Sequence, residues 1–183
     1  MSENLTGMLL VAVPHMLDPN FARAVVLVCE HNEQGALGLI VNRPTEAEVF
    51  EYLPQWVHLV AEPAVVFEGG PVEREVAIGL ARAAHDLPPD GYTDVIGGVG
   101  LMDLGSDPAA AANIDCLRVF SGYAGWDAGQ LESEIEAGGW FVMPARPGDG
   151  FAVTTASLWR EILTRQGGRL AVYANYPPDP TLN

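Results

Sequence analysis

The segment Gly122-Tyr123-Ala124-Gly125-Trp126-Asp127-Ala128-Gly129-Gln130-Leu131-Glu132 constrains this chain more than any other. Glycine takes positive φ and lets another backbone approach closely. Three glycines in eight positions predict a tightly turned crossover from a strand over Cys116 to Phe120 into a helix. Asp127 is placed to cap that helix, with Gln130 three residues later as the second half of a capping box. Leu131 and Ile135 form an apolar i, i+4 pair, and Gly138-Gly139 closes the helix. Glu132, Glu134 and Glu136 read as its solvated face, where acids also complement the helix dipole. Tyr123 and Trp126 read first as core aromatics, although the glycines beside them leave room for a ligand or partner at the backbone.

Elsewhere, Leu5 to Val13 reads as a buried strand. Ala24 to Glu30 and Ala36 to Asn42 read as a hairpin joined by the loop His31 to Gly35. Thr45 and Glu48 match a capping box for a short helix that Pro54 ends. Ala64 to Phe67 is a short strand running into Glu68-Gly69-Gly70-Pro71, and Val76 to Leu80 is another. A Pro/Asp-rich link follows from Asp86 to Gly91, and then a Gly-rich strand from Val95 to Leu101. Asp107-Pro108 caps an alanine-rich helix. Trp140 to Pro144 is a strand, and Ala156 to Gln166 carries Leu158, Trp159, Ile162 and Leu163 at helical spacing before Gly167-Gly168. The tail from Tyr176 to Pro180 reads as extended. Hairpins followed by interspersed helices predict an α+β fold, and 183 residues without repeats or linkers predict one domain over 1–183.

Charge narrows the function. All nine basic residues are arginines, against 24 acids, for a net charge of −15. Nucleic-acid affinity comes mainly from Lys and Arg neutralising phosphates, so direct DNA contact is disfavoured. Without lysine there is no Schiff-base nucleophile, no PLP anchor and no P-loop. Cys29 and Cys116 lie apart in apolar runs and read as reduced, buried thiols, which suits a cytoplasmic protein. The start of the chain lacks the positive residues of a signal peptide, and no run approaches the ~20 apolar residues of a membrane helix.

Motifs for chemistry fail in turn. Gly98-Val99-Gly100 lacks the third glycine of a dinucleotide fingerprint and reads as a turn. No GxSxG or HExxH is present. His15 with Asp18, and Glu30 with His31, lack ligand-like spacing and read as turn residues making ordinary hydrogen bonds. No cofactor and no metal site is expected.

Four blocks in order, taken together, resemble the AlgH family (YqgE-like proteins): Gly7 to Ala12 with Asp18-Pro19-Asn20-Phe21; Glu30-His31 with Gly35 to Pro44; Gly69-Gly70-Pro71-Val72; and Gly122 to Glu132 with Glu134-Ile135. Residues Glu73 to Arg82 depart from the commoner pattern of that family, and Ala83 to Asn113 match it poorly. The resemblance implies an α+β fold with a bifurcated mixed or antiparallel sheet curled into a pseudo-barrel with flanking helices. It also implies a cytoplasmic bacterial protein without an established enzymatic activity. Some members carry the label of transcriptional regulator.

The leading expectation is a non-catalytic interaction or regulatory module with an unidentified protein or small-molecule partner. Its surface would include His31, Asn42, Arg43, Gly69, Gly70, Pro71, Tyr123, Trp126 and Gln130. The alternative is a small-molecule binding protein or enzyme for a phosphate- or carboxylate-bearing ligand. There Asn42, Arg43, Tyr123 and Gln130 would supply polar contacts and the GGP loop its N–H groups.

Overall fold

The computed structural model describes residues 3–84 and 89–179; Met1-Ser2, Asp86 to Pro88 of the Pro/Asp-rich link and Pro180 of the tail lie outside them. The strands are β1 (Met8–Ala12), β2 (Val25–Asn32), β3 (Gly35–Ile40), β4 (Pro44–Glu48), β5 (Val65–Glu68), β6 (Val72–Ala83), β7 (Tyr92–Ile96), β8 (Val99–Met102), β9 (Ile114–Asp127) and β10 (Trp140–Pro144). The α-helices are α1 (Val49–Tyr52), α2 (Gln130–Glu136), α3 (Leu158–Gln166) and α4 (Gly168–Tyr173). The fold is α+β, a mostly antiparallel sheet with few helices.

The strand order is β10-β1-β2-β3-β9-β6-β8-β7, with β5 joined to β9 and β4 joined to β5. Among the described strands only β5–β9 is parallel. The sheet forks at β9. Its first part lies between β6 and β5, where Phe120 faces Ile78 on one side and Phe67 on the other. Its last part, Ala124 to Asp127, pairs with β3. The end strands β10 and β7 do not pair, so the sheet is not closed. Its two ends nevertheless meet: a Cβ on Gly7 would lie 3.2 Å from the Val95 carbonyl oxygen, and one on Gly97 would lie 2.8 Å from Pro147.

The apolar runs explain why these strands form. Val25 to Cys29 is buried throughout because both faces of β2 are covered: Val25, Leu27 and Cys29 enter one core cluster, and Val26 and Val28 the other. Leu9, Val11, Leu27, Leu39, Phe67 and Phe120 pack in one cluster with Leu158, Trp159, Ile162 and Leu163 of α3. Trp159 also donates its indole N–H to the Ala12 carbonyl at 2.8 Å, which pins α3 to the end of β1. Arg118 is fully buried and forms no ion pair among the described residues. It donates to the carbonyls of Glu62, Gly150 and Ala152 and lies 4.3 Å from the centre of the Phe67 ring. Burial lowers its pKa to about 10.

Several sequence expectations are corrected. Gly122 to Asp127 is not a crossover but the last part of β9. The helix begins at Gly129 (φ 74), without an Asp127 side-chain cap; Gln130 still accepts from the Asp127 N–H, the second half of the capping box. Thr45 to Glu48 forms β4 rather than the start of a helix, because Pro44 and Glu48 pair with Phe67 and Val65 of β5. The first hairpin turns more tightly than expected, with Asn32 opposite Gly35. Val95 to Leu101 is two strands joined at Gly97-Gly98. Cys116 is only half-buried.

Candidate functional site

The sequence-predicted residues separate into three settings. The first is at the far end of β9. His31 is buried; its Nδ1 accepts the Leu5 N–H at 3.0 Å, so its proton sits on Nε2, which donates to Glu132 at 2.8 Å. Trp126 packs against Phe21 and Trp140, with ring centres 6.2 Å from each. Glu134 receives the indole N–H groups of Trp126 and Trp140 on one oxygen and the Gln130 amide on the other, each at 2.9 Å. Glu132 and Glu134 are thus not the solvated face the sequence suggests, but acceptors for buried donors.

The second setting is the crossing of the Gly69-Gly70-Pro71 segment over β9. Gly69 donates its N–H to Ser121 and accepts from Ile40, so the segment acts as part of the sheet. A Cβ on Gly70 would lie 2.1 Å from the Tyr123 carbonyl carbon. One on Gly122 would lie 2.6 Å from the Gly70 carbonyl oxygen, with φ at +70. The glycines therefore serve backbone-to-backbone contact, with Tyr123 half-buried beside them.

The third setting is the turn into β2. The Asn42 side chain accepts from the Val25 N–H at 3.0 Å and donates to the Arg23 carbonyl at 2.9 Å. Arg43 donates to the carbonyls of Asn20 and Ala22. Burial lowers the Arg43 pKa, opposed by the charges of Glu68 and Asp18. These two side chains tie the turn to the end of β3. Asn42 and Arg43 thus stand together, whereas Trp126, Gln130 and His31 belong to the other end.

The open surface lies elsewhere. A groove of about 460 Å³ runs over the face of β4, β5, β9 and β6, floored by Val66, Val119 and Ser121. On one side stand Thr45 and Ala47 of β4 with Tyr52; on the other, β6 bulges away from β9 between Val72 and Ala77 and brings Glu75 and Val76 to the rim. Glu73 in that bulge holds φ at +46, rare for a non-glycine residue. Tyr52 is 65% exposed and Val76 40%.

A family model described as AlgH-like matches residues 9–171. This chain belongs to the AlgH-like family. It is 48% identical to a UPF0301 protein of Streptomyces coelicolor, covering 99% of this chain and 96% of the relative. It is 42% identical to one of Mycobacterium leprae, covering 97% and 90%. Among solved structures, a Corynebacterium diphtheriae protein superposes with a TM-score of 0.88 at 34% identity over 96% of this chain and 94% of that one. The solution structure of the AlgH protein from Pseudomonas aeruginosa matches at 0.69 and 31%, over 97% of both chains.

Sequence reasoning did not single out Tyr52 and Val76 of this AlgH-like chain. The available signal was two aromatics, Phe50 and Tyr52, among the acids Glu46, Glu48 and Glu51, in a segment read only as a short helix. No described helix is long and apolar enough to cross a membrane.

Proposed function

We propose that this AlgH-like protein is a non-catalytic interaction module that receives an extended segment of a partner protein in the groove between β4 and β6. One observation carries the reading: exposed Tyr52 and Val76 stand on the rim of an apolar-floored groove of about 460 Å³. Exposed apolar surface rimmed by charge marks interaction sites. Arg74 and Glu75 both line the groove, and Glu46, Glu48, Glu51 and Glu73 are exposed on the same or adjoining segments, so acids outnumber the one arginine and the fitting segment combines an apolar side chain with basic neighbours. The net charge of −15 would steer such a partner in.

The non-catalytic part rests on what the reactive groups do. The Cys29 thiol is pushed up to about 12 by burial, and both His31 nitrogens hold structural partners. Among the described residues no three His, Cys, Asp or Glu side chains group as a metal site. Direct nucleic-acid contact forms no part of this reading, because Arg43, Arg118 and Arg165 are engaged within the fold. The same reading takes residues 1–183 as one domain of a cytoplasmic protein. Its sheet curls towards a pseudo-barrel, supported by the approach of Gly7 to Val95.

The test places a photo-crosslinking residue at position 52 and, as control, at Val172, which is equally exposed on α4. A protein captured from position 52 alone, whose purified binding is abolished by Val76→Asp, supports the groove. Equal capture at both positions, or binding unchanged by Val76→Asp, overturns it.

A further inference from the structure

A second cavity, of about 400 Å³, lies between the turn into β2, the start of α3 and the chain beyond α4. It shares no lining residue with the β4–β6 groove. Two features set it apart in so acidic a chain: no Asp or Glu lines it, and two arginines, Arg23 and Arg160, do. Neither arginine makes an ion pair among the described residues. After burial, the charge that most affects Arg23 is Arg160 itself, which lowers its pKa further. Two like charges held together without a counter-ion are unfavourable unless an anion joins them.

The surroundings hold Arg23 firmly. Its guanidinium lies 3.9 Å from the centre of the Trp159 ring and donates to the Tyr176 carbonyl at 2.7 Å. Its backbone sits at φ +58, a left-handed conformation rare for a non-glycine residue. Asn42 steadies that turn through the Arg23 carbonyl and acts as a positioning residue. Arg160 is exposed and uses its Nε on the Ala174 carbonyl at 3.0 Å, which leaves its terminal NH₂ groups without a described partner. Thr154 adds a hydroxyl, that of Ser157 being turned to Glu161, while Trp159 and Pro178 add apolar wall.

We propose that this cavity binds the oxyanion group of a small, partly apolar metabolite, a carboxylate or a phosphate, between Arg23 and Arg160. Guanidinium forks match either group in bidentate geometry. The volume of about 400 Å³ falls in the range of small-molecule sites. This ligand site is independent of the partner groove and stands whether or not that groove is used.

The test is calorimetric titration of the full chain with phenyl phosphate, benzoate and, as a neutral control, benzyl alcohol. Arg160→Gln is the principal variant, because its exposed side chain holds a single described hydrogen bond; Thr154→Ala, which removes the other hydroxyl of the lining, is the second and should also weaken the anion. Amide NMR shifts on the same samples locate the binding. Expected are binding of at least one anion but not the alcohol, shifts at Thr154 to Arg160, and affinity roughly tenfold weaker in Arg160→Gln. Preference for phenyl phosphate identifies a phosphate ligand, and preference for benzoate a carboxylate. No binding of either anion at 10 mM, equal binding by a folded Arg160→Gln, or shifts confined to the β4–β6 groove would overturn the proposal.

Discussion

The indole N–H of Trp126 donates to Oε2 of Glu134 across 2.9 Å, joining the last part of β9 to the middle of α2. Trp140 of β10 donates to the same oxygen at the same distance. One carboxylate therefore serves two buried donors on two strands and locks α2 onto both. Glu134→Ala leaves both N–H groups without acceptors, at a cost of about 2–4 kcal/mol, or roughly 5–10 °C in melting temperature. Glu134→Gln keeps one oxygen acceptor and should lose less. A double-mutant cycle with Trp126→Phe should show strong non-additivity. Additive losses would mean that Glu134 is indifferent to Trp126.

Stability should fall on the alkaline side. Burial raises the Cys29 thiol from its ordinary 9.0 to about 12. The folded state thus keeps a proton that the unfolded state releases. The thiol's contribution is complete below pH 9 and is lost as pH rises towards 12, with a slope of up to ~1.4 kcal/mol per pH unit. Arg118 runs the other way: its folded pKa, lowered to about 10, makes the unfolded state the better proton binder from pH 10 upward. Burial raises the Cys116 thiol from the same 9.0, so the window from pH 9 to 10 reports both thiols, and a substitution at Cys29 separates its share. Urea denaturation at pH 7, 8, 9 and 10 should show a decline above pH 9 that Cys29→Ala makes shallower. A decline of equal slope in the wild type and in Cys29→Ala would refute this account.

What the sequence made legible was local. β10 falls on Trp140–Pro144 as its apolar run predicts, and Asp107 accepts the Ala109 N–H as a cap should. α3 follows the spacing of Leu158, Trp159, Ile162 and Leu163. The family blocks pointed to the AlgH-like fold. Non-local partners were not legible. Thr45 and Glu48 match a helix start, but pairing with β5 outweighs that preference. Glu134 sits where a solvated acid would, and only the return of β9 and β10 beside α2 brings two indoles to it. Arg23 and Arg160 are distant in the chain, and nothing in their spacing announces that they share a cavity.

The glycines of β9 show the same limit and separate by experiment. Gly122 holds φ at +70, and a Cβ there would lie 2.6 Å from the Gly70 carbonyl oxygen and 2.7 Å from that of Val72. Both obstacles are backbone, so the ladder itself would have to part. Gly125 is exposed, has no positive φ, and a Cβ there would meet the Tyr123 ring at 3.4 Å and a Val72 methyl at 3.7 Å, ordinary contacts. Gly122→Ala is therefore expected to cost more than ~3 kcal/mol, or to prevent folding, from strain and displaced backbone together. Gly125→Ala should cost less than ~1 kcal/mol, since an alanine in an exposed strand position loses little packing. Thermal denaturation of both variants decides the matter. Equal losses would mean that the motif's glycines act through chain flexibility rather than through the Gly70–Gly122 contact.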